Sequence, residues 1–289
     1  MNPSLIKNRS AHVFFVCSAV LALASCREAS ERVGDEESGV YTILQLQDFN
    51  NPDHPGSETE VKIKNVVVTA VDQFDEDMEG RIGTIWISEV DETGESVCGK
   101  WCGITVYNPA LVPEGEHLAV GDLVTVFGVY AEFLYDDDGS PPNPEDPFPY
   151  HFSHLSEIYQ ATVAKTGEWL PVQPVEVEAS DILMEPAAQQ SREQAEAYEG
   201  VLVTVRNLTA GEEYDNYGQF KTGEGVMVED DLFHYPCQGY AESIVGTHFD
   251  SITGIISWFG IRGLFGNYKI LPRGPADISP MPEFSECEF

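Results

Sequence analysis

Residues 61–89 read VKIKNVVVTAVDQFDEDMEGRIGTIWISE, and residues 201–230 read VLVTVRNLTAGEEYDNYGQFKTGEGVMVED. In each, β-branched residues alternate along the run until an Asn that follows a basic residue, Asn65 after Lys64 and Asn207 after Arg206. Period-two alternation broken by Asp, Asn and Gly marks strands and hairpins. The likeness resumes downstream in GDLVTVFGVYAEF (121–133) and GTHFDSITGIISWF (246–259), where Gly121 matches Gly246 and Gly128 matches Gly254. From the Asn to the first Gly is 56 residues in one copy and 39 in the other. The 17 extra residues fall in the region of Cys98 and Cys102. The chain therefore holds one β unit twice.

Each unit reads as about five strands, with a long first strand bending at its middle and a Gly in the fourth. That is the outline of a small closed Greek-key barrel, so the expected class is all-β with two barrels in tandem. The alternative is a pair of β-sandwich domains, which need about seven strands each and more even turn spacing. Long helical periodicity is absent. The best helix candidate is SREQAEAY at residues 191–198, with Ser191 as N-cap.

Tyr198-Glu199-Gly200-Val201-Leu202-Val203, followed by Arg206-Asn207-Leu208, resembles the entry into the OB-fold domain found beside secreted bacterial endonucleases. Gly225-Val226-Met227-Val228, the strand Ile252-Thr253-Gly254-Ile255, and Tyr268-Lys269-Ile270-Leu271-Pro272-Arg273 with Ala276-Asp277-Ile278 are similar to that family's closing pattern. The first copy lacks the Tyr-Glu-Gly entry and the Pro-Arg exit, so its assignment rests on symmetry with the second. The resemblance implies OB-like barrels and a binding surface. The nuclease domain of that family, with its own metal residues, has no match in these 289 residues, so its activity does not carry over.

In OB-folds the face of strands two and three binds oligonucleotides or oligosaccharides by stacking. Tyr214, Tyr217 and Phe220 fall on that hairpin in the second copy and Trp86 in its counterpart, which makes them candidate ligand-binding residues. The competing reading packs such rings into the barrel core.

At the N-terminus Lys7 and Arg9 precede the apolar run VFFVCSAVLALA at 13–24, too short to span a bilayer that needs roughly 20 apolar residues but suited to a signal peptide. Leu23-Ala24-Ser25-Cys26 resembles the bacterial lipobox, in which cleavage leaves the cysteine to carry acyl chains such as palmitate. By that resemblance Cys26 is the lipidation site, the membrane is a partner through its lipid, and Arg27 in place of aspartate points to the cell outer membrane. The polar stretch REASERVGDEESG (27–39) reads as a disordered tether. The chain divides into signal peptide (1–25), lipidated tether (26–39), first barrel (40–166), Pro/Glu-rich connector (167–186), second barrel (187–278) and tail (279–289). The connector has room for one extended segment and a short helical turn.

Removing Lys7 and Arg9 with the signal leaves 13 basic against 49 acidic residues, a formal charge of −36. A field of that sign repels phosphate backbones and argues against direct nucleic-acid binding. Cys98, Cys102, Cys237 and Cys287 remain once Cys17 and Cys26 are set aside. An even number in an oxidising compartment suggests two disulfides, with Cys98–Cys102 and Cys237–Cys287 the preferred pairing. A thiolate metal site is weakly signalled, because CxxxC stands without a nearby His or a second CxxC.

Asp75, Asp77 and Glu79 follow the first half of the calcium-loop formula and end on Gly80, but Trp86 stands where the closing Glu belongs. Asp136 and Asp138 enter a proline-rich loop that offers a second candidate Ca2+ site. Both stretches equally suit turns, since Asp, Asn and Gly tolerate positive φ. Gly94 to Lys100 approaches a phosphate-binding loop but has Trp101 where Ser or Thr would hold Mg2+. His151 and His154 lack a carboxylate pattern that would complete a site. No cofactor is required by any motif. The sequence thus predicts a non-enzymatic envelope lipoprotein, a binding or scaffold module for a protein or glycan. The alternatives are an accessory subunit of a secreted nuclease or phosphodiesterase, and cation-dependent nucleic-acid binding.

Overall fold

The structure, a computed structural model, describes residues 39–72, 83–90, 97–114, 117–133, 155–167, 172–183, 194–214, 219–233, 244–259 and 267–282. The chain folds as two closed five-stranded barrels, and closure decides between barrel and sandwich. In the first copy β1 (Thr59–Val71), β2 (Ile85–Ser88), β3 (Gly103–Val106), β5 (Leu123–Phe133) and β6 (Leu155–Lys165) form the circuit β1-β2-β3-β6-β5-β1. The circuit closes through a parallel pair, β3 on β6, with Thr105↔Glu157 and Val106↔Ile158. In the second copy β8 (Leu202–Tyr214), β9 (Phe220–Thr222), β10 (Met227–Val228), β11 (His248–Phe259) and β12 (Asn267–Leu271) repeat the circuit, with β10 parallel to β12. This order is OB-like in both copies.

The matched residues of the repeat carry the bends. Asn65 and Asn207 both have φ of 57°. A left-handed residue costs most L side chains roughly 1–2 kcal/mol, and Asn tolerates it best after Gly. At Asn65 the register against β5 breaks between Ile63 and Val66, after which Val66, Val67 and Val68 are all buried. The second half of β1 can then pair with β2 as well as with β5. Gly121 and Gly246 also share positive φ, at the entry to the fourth strands. Gly128 and Gly254 are needed for closeness: a Cβ would lie 2.5 Å from Ile158 Cγ2 at the first and 2.5 Å from the Leu271 carbonyl oxygen at the second.

Short elements extend the barrels. α1 (Ile43–Gln47) is closed by a capping box in which Thr42 and Gln45 exchange bonds. Five residues do not hold a helix in water; burial of Ile43 and Leu46 in the first core does. Each fully buried side chain of that size contributes about 1.5–3 kcal/mol before entropy is counted. β4 (Ala110–Leu111) pairs with β6, and β13 (Ile278–Ser279) with β11. Within 167–186, β7 (Val175–Val177) adds a parallel strand to β8, followed by α2 (Ala179–Ile182). Of the expected helix at 191–198, residues 194–196 are helical and 197–198 form a turn, while 191–193 lie outside the described residues. The residues after it leave the helix for contacts with the first barrel.

Candidate functional site: the seam and its neighbours

Residues 38–289 form one compact unit, and the barrels meet along a packed seam. Val67, Ala70, Trp86 and Val97 of the first copy share one continuous apolar cluster with Leu202, Ile255 and Trp258 of the second. Tyr198 of the Tyr-Glu-Gly entry belongs to this cluster. The Trp101 N–H donates to the Ala197 carbonyl at 2.6 Å, and the Lys100 ammonium sits 5.4 Å from the centre of the Tyr198 ring. Gly200, with φ of 73°, packs directly on Gly103 of β3. A Cβ on Gly103 would stand 2.2 Å from the Gly200 carbonyl carbon and oxygen. Only hydrogen fits on either side.

Carboxylates line this seam. Glu199 Oε1 accepts from the Ser156 N–H at 2.8 Å, while its Oε2 is buried with no partner. Gln47 donates from Nε2 to the Gly103 carbonyl at 2.6 Å, and its Oε1 is likewise buried and unpartnered. Tyr268 donates its hydroxyl to Glu196, and Tyr130 donates to Glu132. The Ser156 hydroxyl also reaches Glu132, at 3.2 Å. Burial pushes the Glu196 carboxyl up to about 8 and that of Glu157 up to about 7. Burial, then the neighbouring Glu196, holds Glu199 well above the usual range, and burial also raises Glu132. A carboxylate in such a place costs several kcal/mol unless paired, so burial favours the protonated form of each of these groups.

Beside the seam, in the link between β2 and β3, an antiparallel bridge joins Val90 to Val97. The Cys98 N–H donates to the Glu89 carbonyl at 3.0 Å, and the Glu89 N–H to the Cys102 carbonyl at 2.9 Å. Cys98 and Cys102 are joined by a disulfide, which agrees with the first expected pairing. A Glu89 carboxylate oxygen and both sulfurs lie within 4.8 Å of one another. The Ile43 N–H, at the start of α1, donates to Glu89 Oε1 at 3.0 Å and orients that carboxylate.

The stacking residues expected from sequence take different places. Trp86 is 6 % exposed. It pairs across the sheet with Thr105, which in turn faces Glu157, and all three are buried. Trp86 Nε1 and Thr105 Oγ1 have no partner. The face that would stack a ligand in the first barrel is thus closed, and its tryptophan belongs to the seam. Phe220 is 1 % exposed and packs on Phe249, with ring centres 6.0 Å apart, so it is core. Tyr214 ends β8, but its side chain lies outside the described residues. So do Tyr217, Asp75, Asp77, Glu79, Asp136, Asp138, Cys237, Cys287 and Cys26.

Among the described residues an open groove of about 300 Å³ crosses β1, β5 and β6 on the outside of the first barrel. Glu60, Phe127, Val129, Gln160 and Thr162 line it. Phe127 is 43 % exposed in the middle of a strand, with the Lys62 ammonium 4.7 Å from its ring centre. Gln160 has φ of 48° where β6 passes the β5 bulge at Gly128. The alternation of 121–133, with Val124 and Val126 buried, marks Phe127 as outward-facing, a signal outside strands two and three. Glu89, Glu132 and Glu196 carry no local motif. Comparison with protein-family models found no match, and comparison with curated proteins found none either.

Proposed function

We propose that this chain is a lipid-anchored protein of the bacterial outer membrane, held by Cys26, whose two barrels act together as a non-enzymatic binding module for a neutral glycan. The exposed Phe127 ring carries the reading. A large apolar ring held mid-strand between a carboxylate, an amide and a hydroxyl suits the apolar face and hydroxyl rim of a sugar. The charge of −36 after signal removal disfavours polyanionic ligands at the same place. Support for the anchor comes from the Leu23–Cys26 motif and the polar tether behind it.

Calorimetric titration of the full-length chain with neutral envelope oligosaccharides is expected to show saturable binding. Phe127→Ala should weaken it by about 5- to 10-fold, the loss of roughly 1 kcal/mol of ring contact. Saturable binding that Phe127→Ala leaves unchanged would remove the groove as the site. Capture of a protein partner without any glycan binding would move the module to the protein-scaffold class.

A further inference from the structure

We propose that Glu89, Cys98 and Cys102 form a redox-gated zinc site, closed when the disulfide is made and open when it is reduced. Three ligand atoms from two segments of the chain already lie within 4.8 Å of one another. Two thiolates and one carboxylate are a ligand set for Zn2+, in which C-x2–4-C spacing is common and three protein ligands leave a fourth position for water. The sequence alone shows only CxxxC; the third ligand is supplied by folding. Glu89 stands nine residues before Cys98, and the antiparallel bridge Val90↔Val97 brings the two segments together. The donor bond from the Ile43 N–H fixes the carboxylate as outer partners fix metal ligands generally. Cys98 and Glu89 are partly exposed, which gives a small ion a path.

The gating follows from sulfur chemistry. A dithiol reductant transfers two electrons and two protons to the Cys98–Cys102 bond, which becomes two thiols, and the reductant leaves as its own disulfide. Zn2+ then binds both sulfurs as thiolates and releases the two protons. In the oxidised form neither sulfur is a thiolate, so neither is an effective ligand. In the reverse exchange a small-molecule disulfide takes two electrons from the two thiolates, which rejoin as the Cys98–Cys102 bond and release the ion, while the small molecule takes up two protons and leaves as its dithiol.

The test uses the full-length chain in detergent, either as the disulfide or after reduction with a dithiol removed by anaerobic desalting. Each form is titrated with Co2+ alone, and sulfur-to-cobalt charge-transfer absorption in the near ultraviolet is read. The reduced chain should bind one equivalent, displaced by one equivalent of Zn2+, and the oxidised chain none. The Cys98→Ser/Cys102→Ser double variant should lose the band, and Glu89→Gln should weaken binding by about 10-fold or more, the scale of loss seen even for outer-shell partners. No band in the reduced chain, equal binding by the oxidised chain, or a band unchanged in the double variant overturns the proposal. Should the double variant fail to fold by circular dichroism, Glu89→Gln decides alone: unchanged affinity there is equally fatal.

Discussion

Gly103→Ala is expected to be among the most damaging single-methyl substitutions in this chain. The added carbon would lie 2.2 Å from the carbonyl carbon and oxygen of Gly200 and 2.5 Å from the Val201 nitrogen. These are backbone atoms, so no side chain can swing aside. Gly200 is also held from behind, where its N–H donates to the Ile256 carbonyl at 2.7 Å. Overpacking a tight core commonly costs 1–3 kcal/mol, and a backbone collision belongs at or above about 3 kcal/mol. For a body of this size that lowers the melting temperature by roughly 6–12 °C. Gly99→Ala, four residues away and with open space at its Cβ, is the control and should stay within about 0.5 kcal/mol of the parent. Equal melting temperatures for the two variants would mean that the seam does not exist as described.

Stability should also fall as pH rises from about 4.5 to about 8, opposite to what paired surface carboxylates give. Glu196 titrates near its ordinary value when unfolded and at about 8 when folded, because burial disfavours its charge. Between those limits the folded chain holds a proton that the unfolded chain has lost. The contribution is therefore complete below the unfolded value and lost as pH rises through the folded one. Each such group adds a slope of about 1.4 kcal/mol per pH unit, so Glu196 alone spans on the order of 5 kcal/mol. Glu199 is shifted in the same direction and interacts with Glu196, so the two titrate as a pair. Glu196→Gln keeps an oxygen for the Tyr268 hydroxyl and removes the titration. Denaturant unfolding at pH 5, 6.5 and 8 should show a shallower slope for Glu196→Gln and a higher stability than the parent at the alkaline end. A parent whose stability is flat from pH 5 to 8 would mean that these acids are ionised in the fold.

The barrels were legible in the sequence because their determinants are local. Asn65 and Asn207 announce the bend, Gly128 and Gly254 the closure, and the Val-rich alternation the strands between them. The short Val-Glu-Val run at 175–177 signals β7 in the same way. The seam was not legible. Its contacts join Gln47 to Glu199 and Ser156 to Glu199, residues 152 and 43 positions apart, and nothing in either neighbourhood marks the other. Trp86 looked like a stacking platform because its strand has the right number in the barrel. Only the position of the second barrel buries it. The Tyr-Glu-Gly motif resembles a family signature for entering a strand, and in this fold each of its residues touches the first barrel.

All of this rests on the two barrels being one cooperative body, and equilibrium unfolding tests that directly. The chain from residue 38 onward is unfolded in denaturant while far-ultraviolet circular dichroism and tryptophan fluorescence are followed together; Trp86 and Trp258, both in the shared apolar cluster, report the seam, and the strands of both barrels report the fold. A single transition, coincident by both probes, is the predicted result. Two resolved transitions, one for each barrel, would contradict it.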